Sequence, residues 1–228
     1  MRTRLQEIFE KLLSAFGQRR WWPGDSPLEV IVGAVLTQNT AWRNVEKAIV
    51  NMREKGLIDM DALHLIEEDR LAEAIRPSGF YRVKSRRLKA LIADIHGRYG
   101  ASIERMQAAP TEELRGRLLS VKGVGPETAD SILLYALNRP VFVVDAYTKR
   151  FLKNHGLSEG SDDYDEVQKF FTDNLPRDTY IFNEFHALLV CLCQRHCKKK
   201  PDCPACPLAD EGGGGRQEPI RAAMRSSG

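Results

Sequence analysis

A chain of 228 residues with 43% hydrophobic side chains can build a packed interior, which excludes global disorder. Its 34 basic and 31 acidic residues leave a formal net charge of +3, which permits contact with a polyanion without arguing for it. No apolar run approaches the roughly 18 residues of a membrane span, and the first residues carry no signal-peptide core, so a cytoplasmic protein with no membrane partner is expected.

The elements are predicted to be helices almost throughout. Residues 1–17 place Leu5, Ile8, Phe9, Leu12, Leu13 and Phe16 at helical spacing. After Pro23-Gly24-Asp25, Ser26 is placed to cap a helix that opens on Pro27 and runs through the apolar stretch to Leu36. A further helix follows Asn39-Thr40 through Val45, Ala48 and Ile49, and residues 81–98 repeat Leu88, Leu91, Ile92 and Ile95 on one face. Short helices are expected from Thr111 and from Pro126, and two more over 164–174 and 178–195. Only Val141-Phe142-Val143-Val144 reads as strand-like, and it is short and isolated, so the fold class is all-α. The glycine run that starts at Gly212 and the polar residues after it lead to the expectation of a flexible tail over 209–228.

The most informative stretch is Leu118-Leu119-Ser120-Val121-Lys122-Gly123-Val124-Gly125-Pro126-Glu127-Thr128-Ala129-Asp130. A helix ends, a Gly-x-Gly turn follows, and proline opens the next helix. Gly123 and Gly125 allow close approach of another object, the N–H groups of the next helix can hold a phosphate, and Val124 can anchor the turn in the core. Such a hairpin, with Lys122 beside it, suits a nucleic-acid backbone gripped without sequence readout; a plain helix-turn-helix connection is the bland alternative. Further on, Asp145 ends an apolar run and opens a helix. It can be an N-cap, a catalytic acid in a partly desolvated site, or both.

Two other clusters stand out. The basic residues Arg82, Lys84, Arg86, Arg87 and Lys89, and again Arg195 with Lys198, Lys199 and Lys200, read most simply as solvated faces. All five cysteines fall between residues 191 and 206, which points to a metal or cluster site before disulfides.

Taken together, the hairpin and the Val144-Asp145…Arg150 segment resemble the signature of the endonuclease III (helix-hairpin-helix) DNA glycosylase superfamily. Val121 stands where that family has a leucine. Leu36-Thr37-Gln38-Asn39-Thr40 resembles its loop whose glutamine enters the gap left by a flipped nucleotide, and the spacing from His186 to Cys197 resembles the approach to its iron–sulfur loop. The resemblance covers roughly residues 26–208. It implies two helical subdomains with a cleft between them: 24–138, holding the hairpin motif at about 115–136, and 1–23 plus 139–208, ending in a cysteine-rich loop over 193–206. It also implies damaged double-stranded DNA as partner, a monomer, and Asp145 as the catalytic carboxylate, with Gln38, Asn39, Lys122, Gly123, Val124, Gly125 and Lys198 to Lys200 against DNA.

The branch is argued from departures. Family members that also nick the strand carry a lysine two residues after the second hairpin glycine; here that position is Glu127, which cannot form an imine. Trp21-Trp22-Pro23, Trp42 after the glutamine loop, and Glu127 together resemble the 3-methyladenine DNA glycosylases, so a base pocket of Trp21, Trp22, Pro23, Trp42 and Glu127 is expected, with alkylated purines as substrate. The alternatives are an endonuclease III-like glycosylase with lyase activity on another lesion, and a non-catalytic DNA-binding protein. The family's cysteine spacing for a [4Fe–4S] cluster is broken: Cys197-x5-Cys203-x2-Cys206 is one residue short, and Gly212 stands at the fourth position. Cys193 is the substitute ligand, with zinc or no metal as the alternatives.

Overall fold

The computed structural model describes residues 1–157 and 162–211, and among these it is helical with no strand. The helices are α1 (Arg2–Phe16), α2 (Pro27–Leu36), α3 (Trp42–Glu54), α4 (Met60–Leu65), α5 (Glu68–Ala74), α6 (Tyr81–Tyr99), α7 (Ile103–Ala108), α8 (Thr111–Ser120), α9 (Pro126–Ser131), α10 (Ala146–Asn154), α11 (Tyr164–Asn174) and α12 (Thr179–Arg195). No helix among the described residues is long and apolar enough to cross a membrane. The chain divides into two compact units, one built from Arg20–Val143 with Pro176–Glu184, the other from Met1–Arg19, Val144–Leu175 and the described residues from Phe185 on.

The first unit is organised around α2. Val30 to Leu36 are all buried, so this helix is apolar on every side and must be wrapped by its neighbours. Its start is fixed as the sequence suggests: Ser26 Oγ accepts from Glu29 N at 3.2 Å, and Pro27 occupies the first turn. Glu29 is buried, and its carboxylate takes Arg53 Nε at 2.7 Å and the guanidinium Nη2 beside it, which fastens α3 to α2. Helix α6 packs against α2, α4 and α5. The chain after α9 continues into one π-helical turn, Ile132–Ala136, closed by Leu137 N donating to Ile132 O at 3.1 Å. Val141 to Val144 are buried but form no strand.

The second unit packs α1 through Leu5, Ile8 and Leu12, all fully buried. Phe9 and Phe171 both meet Phe185 of α12 edge-on, with ring centroids 5.5 and 5.9 Å apart. The tail expected from residue 209 is structured over its first three residues. Ala209–Glu211 form a 3₁₀ turn, with Arg4 Nη2 donating to Glu211 O at 3.1 Å and Lys11 Nζ reaching the Glu211 carboxylate. Polarity there signals an ion-pair anchor rather than freedom; residues 212–228 lie outside the described residues.

The solvated reading of the basic cluster on α6 is corrected for three of its five members. Lys84 is buried. Lys89 Nζ donates to Leu63, His64 and Ile66 carbonyls at 3.2, 2.6 and 2.8 Å, closing the C-terminal end of α4. Arg87 turns toward the hairpin, as described below. Two short helices, α4 and α5, and the six-residue α7 were not among the expected elements, because six or seven residues give too few turns for an apolar period to show.

The helices flanking the hairpin are locked by Arg115, whose Nε and Nη2 donate to the two oxygens of fully buried Asp130 at 2.8 and 3.1 Å. Substituting Arg115→Met removes that guanidinium from a buried carboxylate, and chemical denaturation should report a loss of about 3 kcal/mol. A loss within about 0.5 kcal/mol, the ordinary range of surface substitutions, would show that the fork does not hold the hairpin.

Candidate DNA-binding and catalytic site

The hairpin is built as its glycines require. Gly123 has φ 92°, a left-handed conformation, and a Cβ there would collide with the Arg87 side chain, lying 2.8 Å from Cδ. Val124 is buried and its N–H donates to Val121 O at 3.0 Å, so the turn is pinned to the core by its valine. Lys122, Gly123, Gly125 and Glu127 face solvent. The turn therefore exposes backbone and one cation while its centre is held rigid, an arrangement that can take a phosphate without reading a base.

The Gln38 loop meets this hairpin directly. Gln38 Nε2 donates to Thr128 Oγ1 at 2.9 Å and to Gly123 O at 3.2 Å, and its Oε1 accepts from Arg87 Nη1. Asn39 adopts φ 51°, which asparagine tolerates better than most side chains. Thr40 Oγ1 donates to Ser78 O at 2.6 Å and accepts from Lys84 Nζ at 2.6 Å. Lys84 also donates to Leu36 O and Ser78 O, both at 2.7 Å, so all its protons are placed. Burial pushes the Lys84 ammonium down to about 8, helped by nearby Arg87.

The tryptophans converge. Trp21 lies 5.3 Å from Trp22 and 5.0 Å from Trp42, and Trp22 lies 5.1 Å from Trp42, centroid to centroid. The two adjacent indoles can both join because residues 17–26 are not helical, so no single helix face constrains them. Gly33 lets Trp22 lie on α2: a Cβ there would stand 3.0 Å from the indole nitrogen. Trp42 Nε1 donates to Glu46 at 2.8 Å, whereas Trp22 Nε1 is buried with no hydrogen-bond partner among the described residues. Tyr135, on the π-helical turn, adds a fourth ring 5.4 Å from Trp22. Sequence reading missed it, since nothing in the local pattern reveals a π turn. Pro23 is exposed beside the cluster, and Glu127 is exposed in the first turn of α9.

In the other unit, Asp145 caps α10. One oxygen, Oδ1, accepts from Thr148 N at 2.7 Å and from Thr148 Oγ1 at 2.9 Å. The second, Oδ2, stands 3.6 Å from His186 Nε2, and the side chain keeps only 14% of its exposure. Burial works to raise its pKa, but His186 and the two Thr148 bonds outweigh burial and hold it below the usual carboxylate value. The carboxylate is therefore ionised and largely desolvated, with one oxygen committed to the cap. His186 was noted from the sequence only for its spacing to Cys197. Its place on α12, one turn after Phe182 and one before Leu189, is the signal of a histidine on a core stripe.

The cysteines fall in the same unit. Helix α12 ends at Arg195, yet Cys197 N still donates to Leu192 O at 2.9 Å, which keeps Cys197 beside Cys193. The contact with Cys193, backed by His155 and by Asn154, whose Nδ2 lies 3.2 Å away, draws Cys197 toward thiolate against the effect of burial. Leu208 N donates to Cys206 Sγ at 3.4 Å, and burial pushes that thiol up. Among the described residues no group of three or more His, Cys, Asp or Glu is gathered as a metal site. The four sulfurs are thus not brought together here; two of them, on Cys197 and Cys206, accept N–H hydrogen bonds, as the thiolates of a bound metal group do. Lys198, Lys199 and Lys200 are exposed in the turn between Cys197 and Cys203.

Residues 32–177 match the model of the HhH-GPD superfamily of base excision DNA repair proteins, and the chain belongs to that superfamily. It is 46% identical over 207 residues to the candidate DNA repair glycosylase MJ1434 of Methanocaldococcus jannaschii, covering 90% of this chain and 94% of that one. It is also similar to an H. pylori 3-methyladenine DNA glycosylase, MagIII, solved with 1,N6-ethenoadenine: TM-score 0.74, 34% identity, 82% of this chain and 95% of that one. A non-covalent endonuclease III–DNA complex shares the fold at TM-score 0.79 and 24% identity, with 93% and 96% covered.

The cap at Asp145 has a measurable signature. Asp145→Ala should cost about 1 kcal/mol of folding stability at neutral pH, whereas Asp145→Asn, which caps as well, should cost much less. Because the folded pKa is depressed, the charged form stabilises above the ordinary value of 3.8 and its contribution is lost as pH falls through the lower folded value. Acid titration of unfolding checks this; a gap between wild type and the Asp145→Ala variant that widens on acidification would contradict it.

Proposed function

We propose that this base excision repair protein is a monofunctional DNA glycosylase that removes alkylated purines of the 3-methyladenine kind from duplex DNA, working in the cytoplasm as a monomer. The observation that carries the reading is the aromatic cluster of Trp21, Trp22 and Trp42. N-alkylation makes a purine cationic and weakens its glycosidic bond. Tryptophan faces attract such a cation by roughly 0.5–2 kcal/mol, while a neutral purine gains less and stays bonded. The similarity to MagIII, a 3-methyladenine DNA glycosylase by name, supports the same substrate class.

The residues divide the work. The turn of Lys122, Gly123, Val124 and Gly125 holds the backbone, joined by Lys198 to Lys200, and Gln38 with Asn39 enters the space the everted nucleotide leaves. Trp21, Trp22, Pro23 and Trp42 receive the base, with Glu127 supplying a nearby negative charge. Asp145 acts on the sugar. Its depressed pKa makes it a weak proton acceptor, so of the two roles open to it we favour electrostatic stabilisation of the oxocarbenium ion over activation of water. With Glu127 in place of a lysine nucleophile, no imine forms and the strand is left intact at the abasic site. Cys193, Cys197, Cys203 and Cys206 would hold a [4Fe–4S] cluster that serves to brace the Lys198–Lys200 turn and takes no part in bond cleavage.

Three measurements check these roles. Borohydride in the presence of substrate should trap no covalent complex, and trapping would instead establish a lyase. Glu127→Gln should lower excision of 3-methyladenine by up to about tenfold, the scale of one weak charge interaction; an unchanged rate would remove Glu127 from the pocket. Purified protein should be brown, with iron and acid-labile sulfide in near-equal amounts, and colourless protein containing zinc or neither would overturn the cluster.

A further inference from the structure

Helix α6 reads in the sequence as a solvated basic face, yet it carries the two cations that shape the glutamine loop. Lys84 holds the loop's backbone end and its threonine, through Leu36 O and Thr40 Oγ1. Arg87, one turn further along, reaches the loop's side chain: its Nη1 donates to Gln38 Oε1. Its methylenes lie against Gly123, where any Cβ would collide with them. The Gln38 amide nitrogen is meanwhile held by Gly123 O and Thr128 Oγ1. Both ends of the glutamine are thus fixed, the oxygen by α6 and the nitrogen by the hairpin, and all of these groups belong to one unit.

The geometry points to Arg87 as a positioning residue that presets Gln38 against the hairpin, so that the glutamine is already ordered when a nucleotide is everted. A glutamine side chain loses much rotamer freedom when it is fixed. With Arg87 in place that loss occurs on folding and not in the eversion step. Arginine suits the task because its planar fork stays charged and points two donors in a fixed direction, while its stem packs flat on a glycine. A phosphate-binding cation would need its guanidinium turned outward to solvent; this one is turned to a neutral amide. The inference rests on the reading of Gln38 as the residue that fills the vacated space.

The test compares a methylated purine placed in a fully paired duplex with the same purine in a single-nucleotide bulge, where eversion breaks no pair and little help is needed. Single-turnover excision should fall about tenfold for Arg87→Ala on the paired substrate and less than about twofold on the bulge, with Arg87→Lys between, the size of a coupling between contacting side chains. Gln38→Ala should show the same selective loss, and the double variant should be no slower than Gln38→Ala alone. If Gln38→Ala is selective for paired DNA but Arg87→Ala slows both substrates equally, or neither, the positioning role is overturned while the role of Gln38 stands. If Gln38→Ala itself shows no preference, the reading of Gln38 falls and the inference falls with it. Thermal unfolding of each variant separates these results from loss of fold.

Discussion

A carboxylate kept ionised while largely removed from water is the constraint on which the proposed chemistry depends. Asp145 retains 14% of its exposure, and burial alone would drive it toward the neutral acid. Three neighbours prevent this: the N–H and hydroxyl of Thr148 at one oxygen and the imidazole of His186 at the other. Thr148 is set by the first turn of α10 and His186 by α12, so the charge is fixed by two helices at once. On the proposed mechanism the cap and the catalytic group are the same atom set. One oxygen is held by the helix start, and the orientation of the other follows from it.

Rigidity of the same kind recurs in the unit that carries the hairpin. Arg115 and Asp130 clamp the two helices of the hairpin, Val124 anchors the turn, and Lys84 closes the glutamine loop onto Ser78. The two clamps use a cation whose partner is a backbone carbonyl or a buried acid. Such bonds are worth little net when made and cost much when broken inside a low-dielectric interior. The effect is to hold a few groups in one geometry, which is what the proposed roles of the turn and of Gln38 require.

Much of this was legible in the residues. Ser26-Pro27 and Gly125-Pro126 mark helix starts with a physical reason at each position, and Asp145 reads as a cap from its place before a helix. The clustering of three tryptophans could be suspected from their closeness in sequence. Their mutual contact could not, because it depends on a non-helical segment returning to α2 at Gly33. The charges were least legible. Five cations on α6 look alike in sequence, yet Lys84 falls on the same helical stripe as Leu88, Leu91 and Ile95, and that register is the one clue that it turns inward. Tyr135 depends on a π turn and Arg87 on a contact with a distant glycine, and neither leaves a local trace.

The central claim is that the charge on Asp145, and not merely its place in the fold, breaks the glycosidic bond. Excision of 3-methyladenine by the Asp145→Asn protein, followed by chromatography of the released base alongside binding to the same methylated duplex, tests it most directly. The account requires near-complete loss of base release with binding retained. Release at the wild-type rate by a folded Asp145→Asn protein would contradict it.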